Sequence, residues 1–211
     1  MQQLGMKRSV IRETFEYGKK RAQEIGKDKV FDFSLGNPNV PAPDCVNEAI
    51  MELVRTQDAT LLHGYTSAQG DFSVRKAISD HINEHFNRHM TPDLIYMTVG
   101  AAASLSICAK ALSVSGDEFI TFAPFFPEYR IFVEAAGSKL KVVPVNTDNF
   151  QIDFDAFKAL ITPQTKAIII NSPNNPSGVV YSEATIQKLC QLLEEKSKAY
   201  NHPIYLIADE P

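Results

Sequence analysis

A carboxylate at the end of an apolar run is the first feature of this sequence that suggests chemistry. Residues 204–208, Ile-Tyr-Leu-Ile-Ala, lead directly into Asp209. A carboxylate at the end of a buried strand needs a cation or several hydrogen-bond donors, because burial without partners costs free energy. Asp209 is therefore a candidate partner for a positively charged group. The plainer alternative is that it caps the N-terminus of a following helix.

Three other stretches carry complementary chemistry. Residues 124–127, Pro-Phe-Phe-Pro, hold two adjacent aromatic rings, and residues 172–178, Ser-Pro-Asn-Asn-Pro-Ser-Gly, present two amides that donate and accept. Residues 100–103, Gly-Ala-Ala-Ala, open a predicted helix, whose free N–H groups and dipole favour an anion, most simply a phosphate. Each stretch also has a plainer explanation: core packing for the rings, turn chemistry for the amides, and a tight connection for the small residues.

Apolar runs that alternate with amphipathic helices must position these residues. The pattern predicts a short strand at 30–35 and, separated by helices, strands at 94–99, 118–123, 139–145, 166–171 and 204–208. Near-continuous apolar strands of this kind predict an α/β fold of three layers, α/β/α, around a mostly parallel sheet. Ligands of such sheets bind beyond the carboxyl ends of the strands, where all four stretches fall.

The composition excludes several classes of function. The chain has 211 residues, 44% of them hydrophobic, and a net charge of −4, which offers no basic field for nucleic acid. No window is apolar over the roughly 18 residues that a membrane span needs. The N-terminal stretch is basic and polar, unlike a secretory signal. We expect a cytoplasmic protein that binds neither nucleic acid nor membrane.

Metal and nucleotide sites have little support in the sequence. His81, His85 and His89 are spaced to share one face of a predicted helix, and two histidines four residues apart can bind zinc. The HExxH motif is absent and the cysteines lack CxxC spacing, so an exposed helix face is expected and no metal site is predicted. The dinucleotide-binding, P-loop and serine-hydrolase motifs do not occur.

Taken together and in this order, the stretches resemble the aspartate-aminotransferase-like superfamily of pyridoxal phosphate enzymes (fold type I, aminotransferase class I/II). The most specific piece is TKAIIINSPNNPSGVVY at 165–181. The segments HGYTSAQGDFSVRKAI at 63–78, TVGAAASL at 98–105 and PFFPEY at 124–129 match further family segments.

The resemblance implies a domain organisation. Residues 44–211 would form the large pyridoxal phosphate-binding domain of the type I transferase fold, truncated at its C-terminal side. The helix and arm of residues 1–43 would belong to the small domain.

The resemblance also implies a role for each stretch around the cofactor. Asp209 matches the aspartate that pairs with the pyridine nitrogen and keeps the ring an electron sink. Asn175 matches the asparagine that hydrogen-bonds the phenolic oxygen, and Phe126 matches the aromatic residue that stacks on the ring. The backbone amides of Ala101 and Ala102 match the turn that cradles the phosphate.

Two further residues match positions outside that cradle. Gly36 matches a glycine beside the substrate carboxylate. Tyr65 matches a tyrosine whose hydroxyl reaches the phosphate of the neighbouring subunit's cofactor, which implies a homodimer with shared active sites. Ala102 departs from the serine, threonine or lysine of many members, which removes one route to aspartate specificity.

The implied activity is transfer of an amino group between an amino acid and a 2-oxo acid, in amino acid metabolism or biosynthesis. In this family the Schiff-base lysine follows the aspartate, and it is absent from this chain. Lys198 precedes Asp209 on a charged helix face and is expected to be solvated. We therefore expect the 211-residue chain to be inactive alone. The alternatives are a pyridoxal phosphate-dependent β-lyase, a cyclopropane-forming synthase of the same fold, or a non-enzymatic regulator that borrowed the fold.

Overall fold

The computed structural model describes residues 10–36 and 40–210. The chain divides into two compact units between Met97 and Thr98. The expected boundary between residues 43 and 44 is a different division, and it stays a prediction.

The first unit is helical in its described part. Its elements are α1 (Val10–Ile25), a 3-10 turn (Lys27–Lys29), α2 (Asp44–Thr56), α3 (Ala59–Leu62), α4 (Phe72–Phe86) and a second 3-10 turn (Pro92–Leu94). Helix α4 begins after Asp71, whose carboxylate caps the helix by accepting hydrogen bonds from the N–H groups of Ser73 and Val74.

Two predicted strands are not strands. Residues 30–35 pair with no strand of the described ranges, and the side chains of Phe31 and Phe33 are 81% and 92% exposed. Residues 94–99 begin inside the second 3-10 turn, and Met97 N–H donates to the Gln69 carbonyl at 2.9 Å rather than to a strand. Alternating or apolar residues make a strand only where another strand satisfies the backbone, and the described residues supply none there.

The three histidines at residues 81, 85 and 89 do not share one helix face, contrary to the prediction. Helix α4 ends at Phe86 because Asn87 adopts a left-handed conformation (φ 49°), so His89 lies beyond the helix. Among residues 10–36 and 40–210, no cluster of three or more potential metal ligands forms. No helix in the same ranges is long and apolar enough to cross a membrane.

The second unit alternates helices and strands as predicted. Its elements are α5 (Ala101–Leu112), β1 (Glu118–Phe122), α6 (Glu128–Ala135), β2 (Lys139–Val143), α7 (Phe154–Leu160), β3 (Thr165–Asn171), α8 (Glu183–Tyr200) and β4 (Tyr205–Asp209). The strands lie in the order β2-β1-β3-β4, and every pair is parallel.

Strand β3 shows how the sheet is covered on both faces. Ile168 and Ile170 pack into a core with residues of α7 and α8, whereas Ala167 and Ile169 pack into a second core with residues of α5 and α6. Because successive side chains point to opposite faces, a strand between two helical layers must be apolar throughout. The three-layer α/β fold is confirmed, and the carboxyl ends of all four strands lie at one edge of the sheet.

Candidate active site

Asp209 ends strand β4 and is paired in register with Asn171 at the end of β3. Its Oδ2 accepts a hydrogen bond from the Tyr129 hydroxyl at 2.5 Å. In the described part of the chain, the Asp209 carboxylate forms no ion pair and accepts no other hydrogen bond. The carboxylate is half-buried and keeps the capacity to bind a cation.

Tyr129 is a neutral donor to that carboxylate. Its side chain is only 1% exposed, and its ring stands edge-on to Phe126 at a centroid distance of 5.8 Å. Burial, followed by the hydrogen bond and charge of Asp209, raises the pKa of Tyr129 well above its ordinary value of 10.0. The hydroxyl therefore keeps its proton and orients one carboxylate oxygen.

Hydrogen bonds to the side chains of two asparagines hold the loop of residues 172–178 in place. The Asn174 side-chain oxygen accepts from both the N–H and the hydroxyl of Ser177, and its carbonyl accepts from Gly178 N–H at 2.7 Å. Asn175 N–H donates to Asn171 Oδ1 at 2.6 Å. In the described ranges, the exposed side-chain amide of Asn175 has no hydrogen-bond partner, so it is available to a ligand.

The third wall is the N-terminus of helix α5. Gly100 has φ 92°, a conformation that side-chain-bearing residues rarely adopt, and its carbonyl accepts from the N–H groups of Ala103 and Ser104. The N–H groups of Ala101 and Ala102 belong to the first turn, where a helix supplies no partners of its own. Such a turn attracts an anion.

These groups surround one cavity of about 270 Å³ at the carboxyl edge of the sheet. Its lining residues are Ala101, Ala102, Leu105, Phe126, Glu128, Asn171, Asn175 and Asp209. Five of the residues predicted from the sequence thus converge on a single hollow, although they are far apart along the chain. No lysine of the described residues is in this lining.

Gly36 and Tyr65 belong to the other unit, which is described by itself. Gly36 lies before α2, and apart from its chain neighbours no atom of the described residues lies within 4 Å of the Cβ position that a larger residue would have. Tyr65 lies between α3 and α4, and its side chain is fully exposed. The roles that the family resemblance implies for both residues stay predictions.

The residues around the cavity fit pyridoxal phosphate. Within the described ranges the N–H groups of Ala101 and Ala102 have no partner and suit its phosphate, and the side-chain amide of Asn175 has none and suits its phenolic oxygen. The half-buried Asp209 carboxylate suits a protonated ring nitrogen, and the half-buried Phe126 ring offers an aromatic face. This is the donor and acceptor pattern of a group that is anionic at one end and cationic at the other.

A parallel α/β unit with such a cavity defines a class of cofactor-binding enzymes, and comparison with known proteins specifies it. The family model of aminotransferase class I and II matches residues 28–210. The chain belongs to this family, and the family implies pyridoxal phosphate as its cofactor.

Individual relatives agree with the family assignment. The chain is 31% identical to an aspartate aminotransferase of Thermotoga maritima over 95% of its own length and 51% of that protein. It is 31% identical to the glutamate-pyruvate aminotransferase AlaA of Escherichia coli, over 90% of this chain and 45% of that one. The crystal structure of an aminotransferase from Eubacterium rectale superposes with a TM-score of 0.96 at 59% identity, covering all of this chain and 53% of that one. The chain thus spans about half the length of these relatives.

Sequence reasoning missed two residues of the site, Tyr129 and Asn171. Asn171 had a usable signal, because it is a polar residue at the end of an apolar strand. Tyr129 had a weaker one: it lies three residues after Phe126, and side chains at that spacing are neighbours where the backbone turns as in a helix. Neither signal pointed to Asp209 as the common partner.

Proposed function

We propose that this chain forms the pyridoxal phosphate cradle of an enzyme that transfers an amino group between an amino acid and a 2-oxo acid. The observation that carries the proposal is the single cavity shared by Phe126, Asn175, Asp209 and the first turn of α5. The names of the relatives, which include aspartate and glutamate-pyruvate aminotransferases, support amino transfer as the reaction.

Each residue has a distinct task in this proposal. When bound, pyridoxal phosphate supplies a ring that withdraws electrons from the substrate's α-carbon. Asp209 holds a proton on the ring nitrogen, and the hydrogen bond from Tyr129 to its Oδ2 orients the carboxylate for this task. Asn175 donates to the phenolic oxygen, and Phe126 covers the ring and excludes water.

We also propose that the 211 residues alone do not complete the reaction. Amino transfer needs a base that moves the α-proton, commonly a lysine, and the described lining of the cavity contains no lysine. Lys198 is exposed on α8 and is not among the residues that line the cavity. Turnover of an amino acid by the purified chain would refute this part of the proposal.

Binding of pyridoxamine 5′-phosphate tests the cradle without requiring turnover. This form lacks the aldehyde, so it does not react with surface lysines. We expect the chain to bind it and Asp209→Asn to bind about 10- to 100-fold more weakly, since a charge-assisted hydrogen bond is worth roughly 1.5–3 kcal/mol. The matched control is Asp148→Asn, the same change at an exposed loop position, and it should leave the dissociation constant unchanged. Equal affinities for the wild-type chain and Asp209→Asn would contradict the proposal.

A chimera tests the reaction itself. The chain would replace the matching part of the Eubacterium rectale aminotransferase, to which it is 59% identical. With glutamate and pyruvate we expect a new amino acid and 2-oxoglutarate, and Asp209→Asn should abolish the product. Release of ammonia and pyruvate from an amino acid would instead favour the β-lyase alternative.

We further propose a homodimer in which the Tyr65 hydroxyl of one subunit binds the phosphate of the cofactor held by the other subunit. The full exposure of the Tyr65 side chain supports this, because it leaves the hydroxyl accessible to a second subunit.

A further inference from the structure

Asn171 is a buried residue whose side-chain amide both donates and accepts a hydrogen bond. It is the last residue of β3, and only 5% of it is exposed. Its Nδ2 donates to the main-chain carbonyl of Asp209 at 2.7 Å, and its Oδ1 accepts from the main-chain N–H of Asn175 at 2.6 Å. One planar group therefore joins the end of β4 to the loop that carries Asn175.

Few side chains could replace this amide. It donates on one side and accepts on the other, and of the residues of similar size only asparagine does both at neutral pH from two atoms attached to one planar carbon. An ionised aspartate could accept from Asn175 N–H but could not donate to the Asp209 carbonyl. Alanine would leave the N–H of Asn175 and the carbonyl of Asp209 without this partner.

The two residues joined by Asn171 are the two that the proposed function places on opposite polar atoms of one ring. Asp209 would bind the ring nitrogen and Asn175 the phenolic oxygen, and both line the cavity. The ring is rigid, so the two side chains must be held at a fixed separation before it binds. Strand pairing fixes the β3 and β4 backbones up to Asn171 and Asp209, but it does not fix residue 175 in the loop.

We propose that Asn171 is a positioning residue that sets the separation of Asp209 and Asn175 and so preorganises the cavity for its cofactor. This inference rests on the proposed function. It goes beyond it by assigning a role to a residue that need not touch the ligand.

The first test is binding of pyridoxamine 5′-phosphate to the 211-residue chain. Asn171→Ala should weaken binding about tenfold, the scale of one misplaced hydrogen bond. In an Asn175→Ala background the same substitution should have a clearly smaller effect, because the contact that it positions is already gone. If the two substitutions instead raise the dissociation constant by factors that multiply in the double variant, Asn171 does not act through Asn175.

A chemically matched control separates positioning from loss of stability. Asn83 in the first unit makes the same pair of bonds, donating to the Met90 carbonyl at 2.8 Å and accepting from Met90 N–H at 2.6 Å. Asn83→Ala and Asn171→Ala should both lower the melting temperature, but only Asn171→Ala should change the dissociation constant.

A second readout needs no ligand. Hydrogen exchange of the main-chain N–H of Asn175 should be slow in the wild-type chain, where Asn171 Oδ1 accepts from it, and fast in Asn171→Ala. The near-isosteric Asn171→Asp keeps the acceptor and loses the donor, so it should keep the Asn175 amide protected while shifting the carbonyl ¹³C resonance of Asp209. This variant keeps the test decisive if Asn171→Ala does not fold.

The outcomes distinguish the two proposals. No binding of pyridoxamine 5′-phosphate by the wild-type chain would refute the proposed function. Wild-type affinity in Asn171→Ala, or unchanged protection of its Asn175 amide, would overturn the positioning role alone.

Discussion

Tyr129 combines burial with a hydrogen bond to a carboxylate, and both effects favour its neutral form. In the unfolded chain this tyrosine titrates near its ordinary pKa of 10.0, whereas in the folded chain its pKa lies well above that value. Above about pH 10 the unfolded state therefore loses a proton that the folded state keeps, and the unfolded state gains in stability. The contribution of Tyr129 to folding is complete below pH 10 and is lost as the pH rises further.

We expect the free energy of unfolding to fall between about pH 10 and 11, and to fall less steeply in Tyr129→Phe. Urea titrations at a series of pH values measure both slopes. Tyr65→Phe is the matched control, because it removes the same hydroxyl group from a fully exposed side chain. Identical slopes for the wild-type chain and Tyr129→Phe would show that the hydroxyl ionises with equal ease in both states.

At the scale of elements, β1 and β3 are the inner strands of the described sheet and carry its two cores. Ile168 in β3 is fully buried in the core formed with α7 and α8. Ile168→Ala should lower the free energy of unfolding by about 2–5 kcal/mol, because it removes transfer free energy and leaves a cavity.

The control for this prediction is Ile131→Ala on α6, since the Ile131 side chain is 47% exposed. We expect a change of no more than about 1 kcal/mol there. Urea unfolding measures both changes, and it is monitored by spectroscopic signals of residues in the second unit. Equal losses for the two variants would mean that the burial of Ile168 contributes no more to stability than an exposed side chain does.

At the scale of the whole molecule, the homodimer proposal predicts complementation between subunits. A homodimer of Asp209→Asn chains lacks the carboxylate in both of its sites, and a homodimer of Tyr65→Phe chains lacks the tyrosine hydroxyl in both. Each homodimer should therefore bind pyridoxamine 5′-phosphate weakly. A mixed dimer would place both defects in one site and leave the other intact. After equal mixing and random reassociation, about half of the dimers are mixed, so about a quarter of the sites should regain wild-type affinity.

The control mixture combines Asp209→Asn with Asn175→Ala. Both residues line the cavity of a single subunit, so no mixed dimer contains an intact site and no gain is expected. A gain in both mixtures, or in neither, would rule out a Tyr65 that acts across the dimer.

The amino-acid sequence by itself determined the layered fold and the residues at the strand ends. Continuous apolar runs between helices can be buried only in a parallel sheet with helices on both faces, and the polar residues that follow them must then share one edge. This is why Phe126, Asn175 and Asp209 could be predicted together as one site, although the family resemblance supplied the role of each.

Only the tertiary structure decided how these residues are held. Tyr129 meets Asp209 across 80 positions of the chain, and Asn171 meets it across 38. These contacts follow from the order β2-β1-β3-β4 and from the register of β3 with β4. Residues 30–35 and 94–99 failed as predicted strands for the same reason. A strand and a hydrogen bond both need a partner, and no local pattern in a sequence states which distant segment will supply it.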